Sequence, residues 1–136
     1  MGLRLDLPPR KGQANDIDSI VSIDGVAPVV KGALSPEIIR RVVHNHLSEI
    51  AYCYLKEANR TPSTTGGKIW VRWTITPQGF VAQVAVKQNT LGNAALEKCI
   101  IEKVQTWRFP EPKGGQPVLV TYPFVFKGGE HPIKAK

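Results

Sequence analysis

The chain has 136 residues and a mass of 15.0 kDa, the size of one domain. With 42% apolar and 21% charged residues its composition is globular rather than disordered. No apolar run nears the ~20 residues of a membrane span, and two cysteines are too few for a disulfide framework or a cysteine zinc cage. Lys and Arg number 18 against 11 Asp and Glu, a net charge of +7. That charge is −1 over residues 1–30, +2 over 31–60 and +6 over 61–136, so the basic character belongs to the second half. No basic start followed by an apolar stretch marks a signal peptide. The chain is therefore expected to be cytoplasmic, or a piece of a longer protein whose anchor lies upstream.

Residues 1–16 are polar, carry Pro8-Pro9, and read as a flexible tail or linker. Residues 17–31 hold short apolar pieces broken by Asp24-Gly25 and Pro28, which fits an extended segment with one short strand laid over the core. The first firm element starts at Ser35-Pro36-Glu37. Ser caps a helix, Pro suits the first helical position, and an acid in the first turn complements the helix dipole. Ile39, Val43, Leu47, Ile50 and Tyr54 then recur at three- and four-residue steps, which predicts one amphipathic helix to about Ala58. Arg40, Arg41, Asn45, Glu49 and Lys56 fall on its other side.

Residues 68–76 alternate Ile69, Val71, Trp73 and Ile75 with Lys68, Trp70, Arg72 and Thr74, the period of a half-buried strand. Thr76-Pro77-Gln78-Gly79 is a turn, and residues 80–88 return as the second strand of a hairpin. Val81 and Val84 to Val86 are out of phase there, which suggests a bulge. A second helix is expected over about residues 93–106, capped by Asn93, with Leu96, Ile100, Val104 and Trp107 as its apolar stripe. Arg108-Phe109-Pro110 ends it. After a Pro/Gly loop, Val118, Val120, Tyr122, Phe124 and Phe126 line one face of a last strand, and residues 128–136 form a polar tail.

The order helix, strand, strand, helix, strand gives an α+β fold. It is a two-layer sandwich in which two helices cover a small antiparallel three-stranded sheet, with an extra N-terminal strand allowed for. The last strand lies beside one member of the hairpin and is expected to be an exposed edge. Pro123 supports this, because proline removes a ladder donor and is confined to edges and bulges.

His44-Asn45-His46 suggests a metal site, but residues two apart on a helix point about 200° away from each other, so no metal is expected; His46 is placed near the core face and His44 in solvent. No catalytic motif or phosphate loop occurs, and no enzyme activity is expected. Glu97 and Glu102 lie among lysines on what reads as a solvated helix face. Lys68, Trp70 and Arg72 share the strand face opposite the apolar residues, where an aromatic and two cations would suit a cell-wall or polyanionic ligand. No recognised nucleic-acid motif accompanies them, and nucleic acid is not expected. Cys53 follows Ile50 by three residues and Cys99 follows Leu96 by three, so both border an apolar stripe. From the residues alone, a disulfide and two buried free thiols are equally good readings.

Several segments resemble a known family. Residues 67–81 are similar to the "G-x-V-x-V-x-F-x-I-x-x-x-G-x-V" opening of TonB-type C-terminal domains, and Trp107-Arg108-Phe109-Pro110 to their "W-x-F-P" signature. More narrowly, residues 34–40, Cys53-Tyr54, residues 89–93, Cys99-Ile100 and residues 122–126 resemble the AgmX/PglI carboxy-terminal domain of gliding-motility proteins. The likeness spans about residues 32–127. It implies a periplasmic, non-enzymatic module without cofactors, at the end of an inner-membrane-anchored protein driven by a proton-powered motor. Such domains engage outer-membrane or periplasmic partners by pairing their last strand with an extended peptide. The matching positions are Val118, Leu119, Val120, Thr121 and Tyr122. A periplasmic setting also favours a Cys53–Cys99 disulfide. The sequence before the first helix is a candidate to occupy that same edge.

Overall fold

The computed structural model describes residues 17, 20–23, 27–60 and 66–127. The expected tails at 1–16 and 128–136 lie outside these residues. In chain order the elements are β1 (Val21–Ser22), β2 (Val29–Lys31), α1 (Pro36–Asn45), α2 (Leu47–Arg60), β3 (Gly67–Ile75), β4 (Val81–Asn89), α3 (Ala94–Val104), a short 3-10 turn (Lys113–Gly115) and β5 (Val118–Phe126).

The predicted first helix is two helices. Ser35 caps α1 as expected, its hydroxyl accepting the Ile38 N–H at 3.2 Å. The backbone leaves helical geometry at His46 (φ −105°, ψ 7°), and the His46 and Glu49 amides reach back only three residues, to Val43 and His46. The apolar stripe runs on through the break, from Ile39 and Val43 to Leu47, Ile50 and Tyr54, so its periodicity carries no sign of it. α3 follows the prediction, with Asn93 Oδ1 accepting the Leu96 N–H at 2.9 Å.

β3, β4 and β5 form the antiparallel sheet. Ile69, Val71, Trp73 and Ile75 pair with Phe124, Tyr122, Val120 and Val118, which sets both apolar rows on one face. All eight are fully buried. Tyr54 of α2 stacks on Phe126 at 5.0 Å, and Trp107, just past α3, meets Trp73 edge-on at 5.9 Å. The helices thus cover this face and the core lies between. The hairpin closes through Gly79 (φ +90°), whose N–H reaches Thr76 O and whose carbonyl accepts the Phe109 N–H. The suspected irregularity in β4 is present as two register shifts against β3, with Gln83 at φ 56°.

The sheet has five strands, in the order β1-β5-β3-β4 with β2 also on β5. This overturns the expectation that the last strand is an exposed edge. β5 runs between β3 on one side and the two short N-terminal strands on the other. The physical reason is that β5 offers unpaired main-chain groups beside a deep core, and the segment before α1 carries the apolar residues to reach it. Among the described residues, β4 is the long strand paired on one side only, and the short β1 and β2 likewise pair with β5 alone.

Candidate partner-binding edge

Val118 to Tyr122 occupy the first half of β5, with Val118, Val120 and Tyr122 turned into the core and Leu119 and Thr121 half-buried on the opposite face. On the outer side of this stretch, Val29, Val30 and Lys31 pair with Thr121, Val120 and Leu119. Further along, Val21 and Ser22 pair with Phe126 and Val125. Pro123 falls in the interval between these two pairings. A residue without an N–H interrupts a ladder least where no named strand lies opposite. Gly32 (φ +140°) then turns the chain away, so close to β5 that a Cβ would sit 2.7 Å from Val118 Cγ2.

The two N-terminal strands are held very differently. Ile20, Val21 and Ile23 are buried in the core, and the Ile20 carbonyl accepts the Lys127 N–H at 3.0 Å. β2 buries none of its three side chains, and Val29 is 47% exposed.

Lys68, Trp70 and Arg72 do lie in a row on the sheet face away from the helices, each half-buried. Across β5 they meet Val125, Pro123 and Thr121. Arg72 Nε donates to Thr121 Oγ1 at 3.4 Å. Arg72, Val29, Lys31, Leu119 and Thr121 line a cavity of about 150 Å³ on this face. The alternative surface and the β5 edge are therefore contiguous, with Arg72 at the junction. Sequence reasoning treated them as separate because it had no register between β3 and β5.

On the helical side, sequence reasoning missed the role of Glu49. Its Oε1 accepts the Trp107 indole N–H at 3.0 Å and its Oε2 the His46 Nδ1–H at 2.9 Å, while the His46 and Trp107 rings stack at 4.9 Å. Partial burial opposes the charge on Glu49. The hydrogen bonds from His46 and Trp107, with the positive charge of His46 and Lys103, outweigh it and hold the carboxyl below its ordinary value. This triad pins the α1–α2 break to the end of α3, and His46 sits near the core face as expected. Glu97 departs from the solvated reading, accepting the Asn89 side-chain N–H at 2.7 Å. Cys53 and Cys99 form a disulfide with Cα atoms 5.8 Å apart, joining α2 to α3.

The family model described as the Gram-negative bacterial TonB protein C-terminal matches residues 54–127. The chain belongs to the TonB C-terminal family. Within this TonB-family domain the match begins inside α2 and ends just after β5, so β1 and β2 lie outside it while the edge they cover lies inside. The matching model is the general TonB one rather than the narrower AgmX/PglI likeness. No curated protein matches the sequence. A solved structure of a Helicobacter pylori TonB C-terminal domain is similar at 18% identity, covering 74% of this chain and 98% of that one, with a TM-score of 0.41. TonB C-terminal domains are periplasmic, non-enzymatic domains that interact with outer-membrane proteins, and a disulfide is at home in that oxidising compartment. Among the described residues no helix is long and apolar enough to cross a membrane.

Proposed function

We propose that this TonB-family domain is the periplasmic end of an inner-membrane-anchored protein of gliding-motility type. It passes force from a proton-driven motor upstream to an outer-membrane partner. The partner contributes an extended peptide that adds to the outer side of β5 at Val118–Tyr122, where main-chain hydrogen bonds supply most of the affinity. One observation carries this reading. That side of β5 already takes short antiparallel strands, at Val29–Lys31 and again at Val21–Ser22. An edge that pairs with a three-residue segment of its own chain has the geometry to pair with a segment of another.

The experiment is a titration of isotope-labelled domain with peptides from the periplasmic segments of candidate outer-membrane partners, followed by amide NMR. Shifts centred on Val118–Tyr122 are expected. Shifts confined to β4 or to the helices would overturn strand addition at β5.

A second reading assigns the contiguous row of Lys68, Trp70 and Arg72 to cell-wall or polyanionic ligands, and the absence of a helix over that face among the described residues favours it. It predicts binding to a polyanion that weakens steeply with salt and is lost in Trp70→Ala. Retained binding in that variant would refute it.

A further inference from the structure

We infer that β2 is a removable strap over the partner edge while β1 is a fixed one, and that the strand replacing β2 carries an acidic residue where Val29 now stands. This rests on the strand-addition reading and specifies which part of the edge opens and what enters it.

The difference between the two straps lies in what holds them. β1 is flanked and filled by Ile20, Val21 and Ile23, at 2%, 0% and 4% exposure. Removing it would bring all three into water and open the core beside Phe126. β2 has no buried side chain, and apart from half-buried Pro28 and Val30 the described residues 27–33 are exposed. It hangs between two anchors, Ile23 on one side and Leu34 (8% exposed) on the other. Eleven residue steps, reaching at most roughly 3.3 Å each, join the two anchors, so the middle can move while both stay seated. Lifting β2 therefore uncovers the β5 main chain at Leu119–Thr121 at the loss of a short ladder and the packing of half-buried Val30. Regions with few buried contacts are those that open locally without global unfolding.

The chemistry of the replacement follows from Arg72. Its side chain crosses the open face to Thr121, the residue that Val29 pairs with, and both line the same cavity with Lys31 and Leu119. Val29 offers the guanidinium no acceptor. A carboxylate on an incoming strand, at the position facing Thr121, would take Arg72 in a charge-assisted hydrogen bond beside partly apolar walls. The occupant is an extended acidic segment of a partner protein, antiparallel to β5.

The first measurement needs no partner. Hydrogen exchange of the whole chain should show Val29–Lys31 exchanging at least about 100-fold faster than Gly67–Ile75, with Val21–Ser22 close to the slow class. Equal protection of Val29–Lys31 and Gly67–Ile75 overturns the strap. A Val29→Glu change in the chain itself should slow exchange of Val29–Lys31 by tenfold or more, and Arg72→Gln should cancel that gain. An unchanged rate in Val29→Glu overturns the acidic preference.

The second measurement uses two synthetic peptides with the sequence of residues 27–33, one bearing glutamate in place of Val29. On a Val30→Pro chain, whose own β2 is loosened, the glutamate peptide should shift Leu119–Thr121 amides and bind at least tenfold tighter than the valine peptide. Binding should be at least tenfold weaker to the unmodified chain. Equal affinity for the modified and unmodified chains overturns the strap. Equal affinity of the two peptides overturns the acid. If neither peptide moves Leu119–Thr121 while exchange shows β2 open, the strand-addition reading itself fails.

Discussion

Breaking the Cys53–Cys99 bond removes the covalent link between α2 and α3, across a sequence separation of 46 residues. On the chain-entropy model a loop of that length limits the unfolded chain by about 4 kcal/mol at 25 °C. The folded state loses little in return. Cys53 and Cys99 are 0% and 7% exposed, and two thiols in those positions remain as small buried hydrophobes among the same neighbours. The cost therefore falls on the unfolded side and appears almost undiminished in the stability. For a domain of this size 1 kcal/mol moves the melting temperature by about 4 °C, so reduction should lower it by about 15 °C. The assay is a thermal melt of three samples: oxidised protein, protein reduced in denaturant and refolded with reductant, and Cys53→Ala/Cys99→Ala. The alanine pair should melt lower still, because each substitution also leaves a small cavity. Reductant added to the native protein should act slowly, since both sulfurs are shielded until the chain opens. A fall of less than about 5 °C on full reduction would refute the loop-entropy reasoning. An intact mass that does not rise by two hydrogens would refute the bond itself.

Glu49→Gln keeps an acceptor for the Trp107 indole but removes the charge. Because the folded carboxyl lies below its ordinary value of 4.5, its contribution is present above that pH and is lost as pH falls through the lowered value. Urea unfolding between pH 5 and pH 3 should accordingly show a shallower acid decline in Glu49→Gln than in the unmodified protein; parallel curves would refute this. Trp107→Phe gives up the Glu49 hydrogen bond and should cost about 3 kcal/mol in urea unfolding. Trp73→Phe instead removes an indole N–H that has no partner among the described residues, and should cost about 1 kcal/mol less. The reverse ranking would deny Glu49 its role. Gly79→Ala should destabilise by about 2–4 kcal/mol, since Gly79 sits at φ +90° and an added Cβ would run into the Phe109 carbonyl oxygen. A near-neutral effect in calorimetry would show that the hairpin turn can move.

The faces of the elements were legible because burial writes a period into the chain. Ile69 to Ile75 and Val118 to Phe126 alternate, Ser35 and Asn93 cap, and each of these expectations matches the structure. Single-residue events escaped. The break at His46 changes two dihedral angles and leaves the apolar stripe in phase, so only the Trp107 and Glu49 partners, 61 and 3 residues away, reveal what it serves. Glu49 looked like a surface acid for the same reason. Helical spacing places it away from the apolar stripe, and the indole that meets it comes from beyond the far end of another helix.

Pairing at the sides of strands was the least legible feature, and Pro123 shows why. Its missing N–H argued for an edge. The structure puts it in the interval between the β2 and β1 pairings, where that argument still holds locally although the strand as a whole is covered. A strand's side is made of main-chain N–H and C=O groups, which are the same for every residue except proline. Val29-Val30-Lys31 carries no alternation long enough to announce a strand, yet its backbone suffices to take Leu119–Thr121. What hides β2 in the sequence is also what makes it replaceable. A segment that binds mainly through backbone groups, with only half-buried Val30 packed against the core, holds its place against another extended chain largely by being tethered nearby. Its advantage is one of effective concentration, and an incoming strand with one well-placed carboxylate for Arg72 brings what the tether does not.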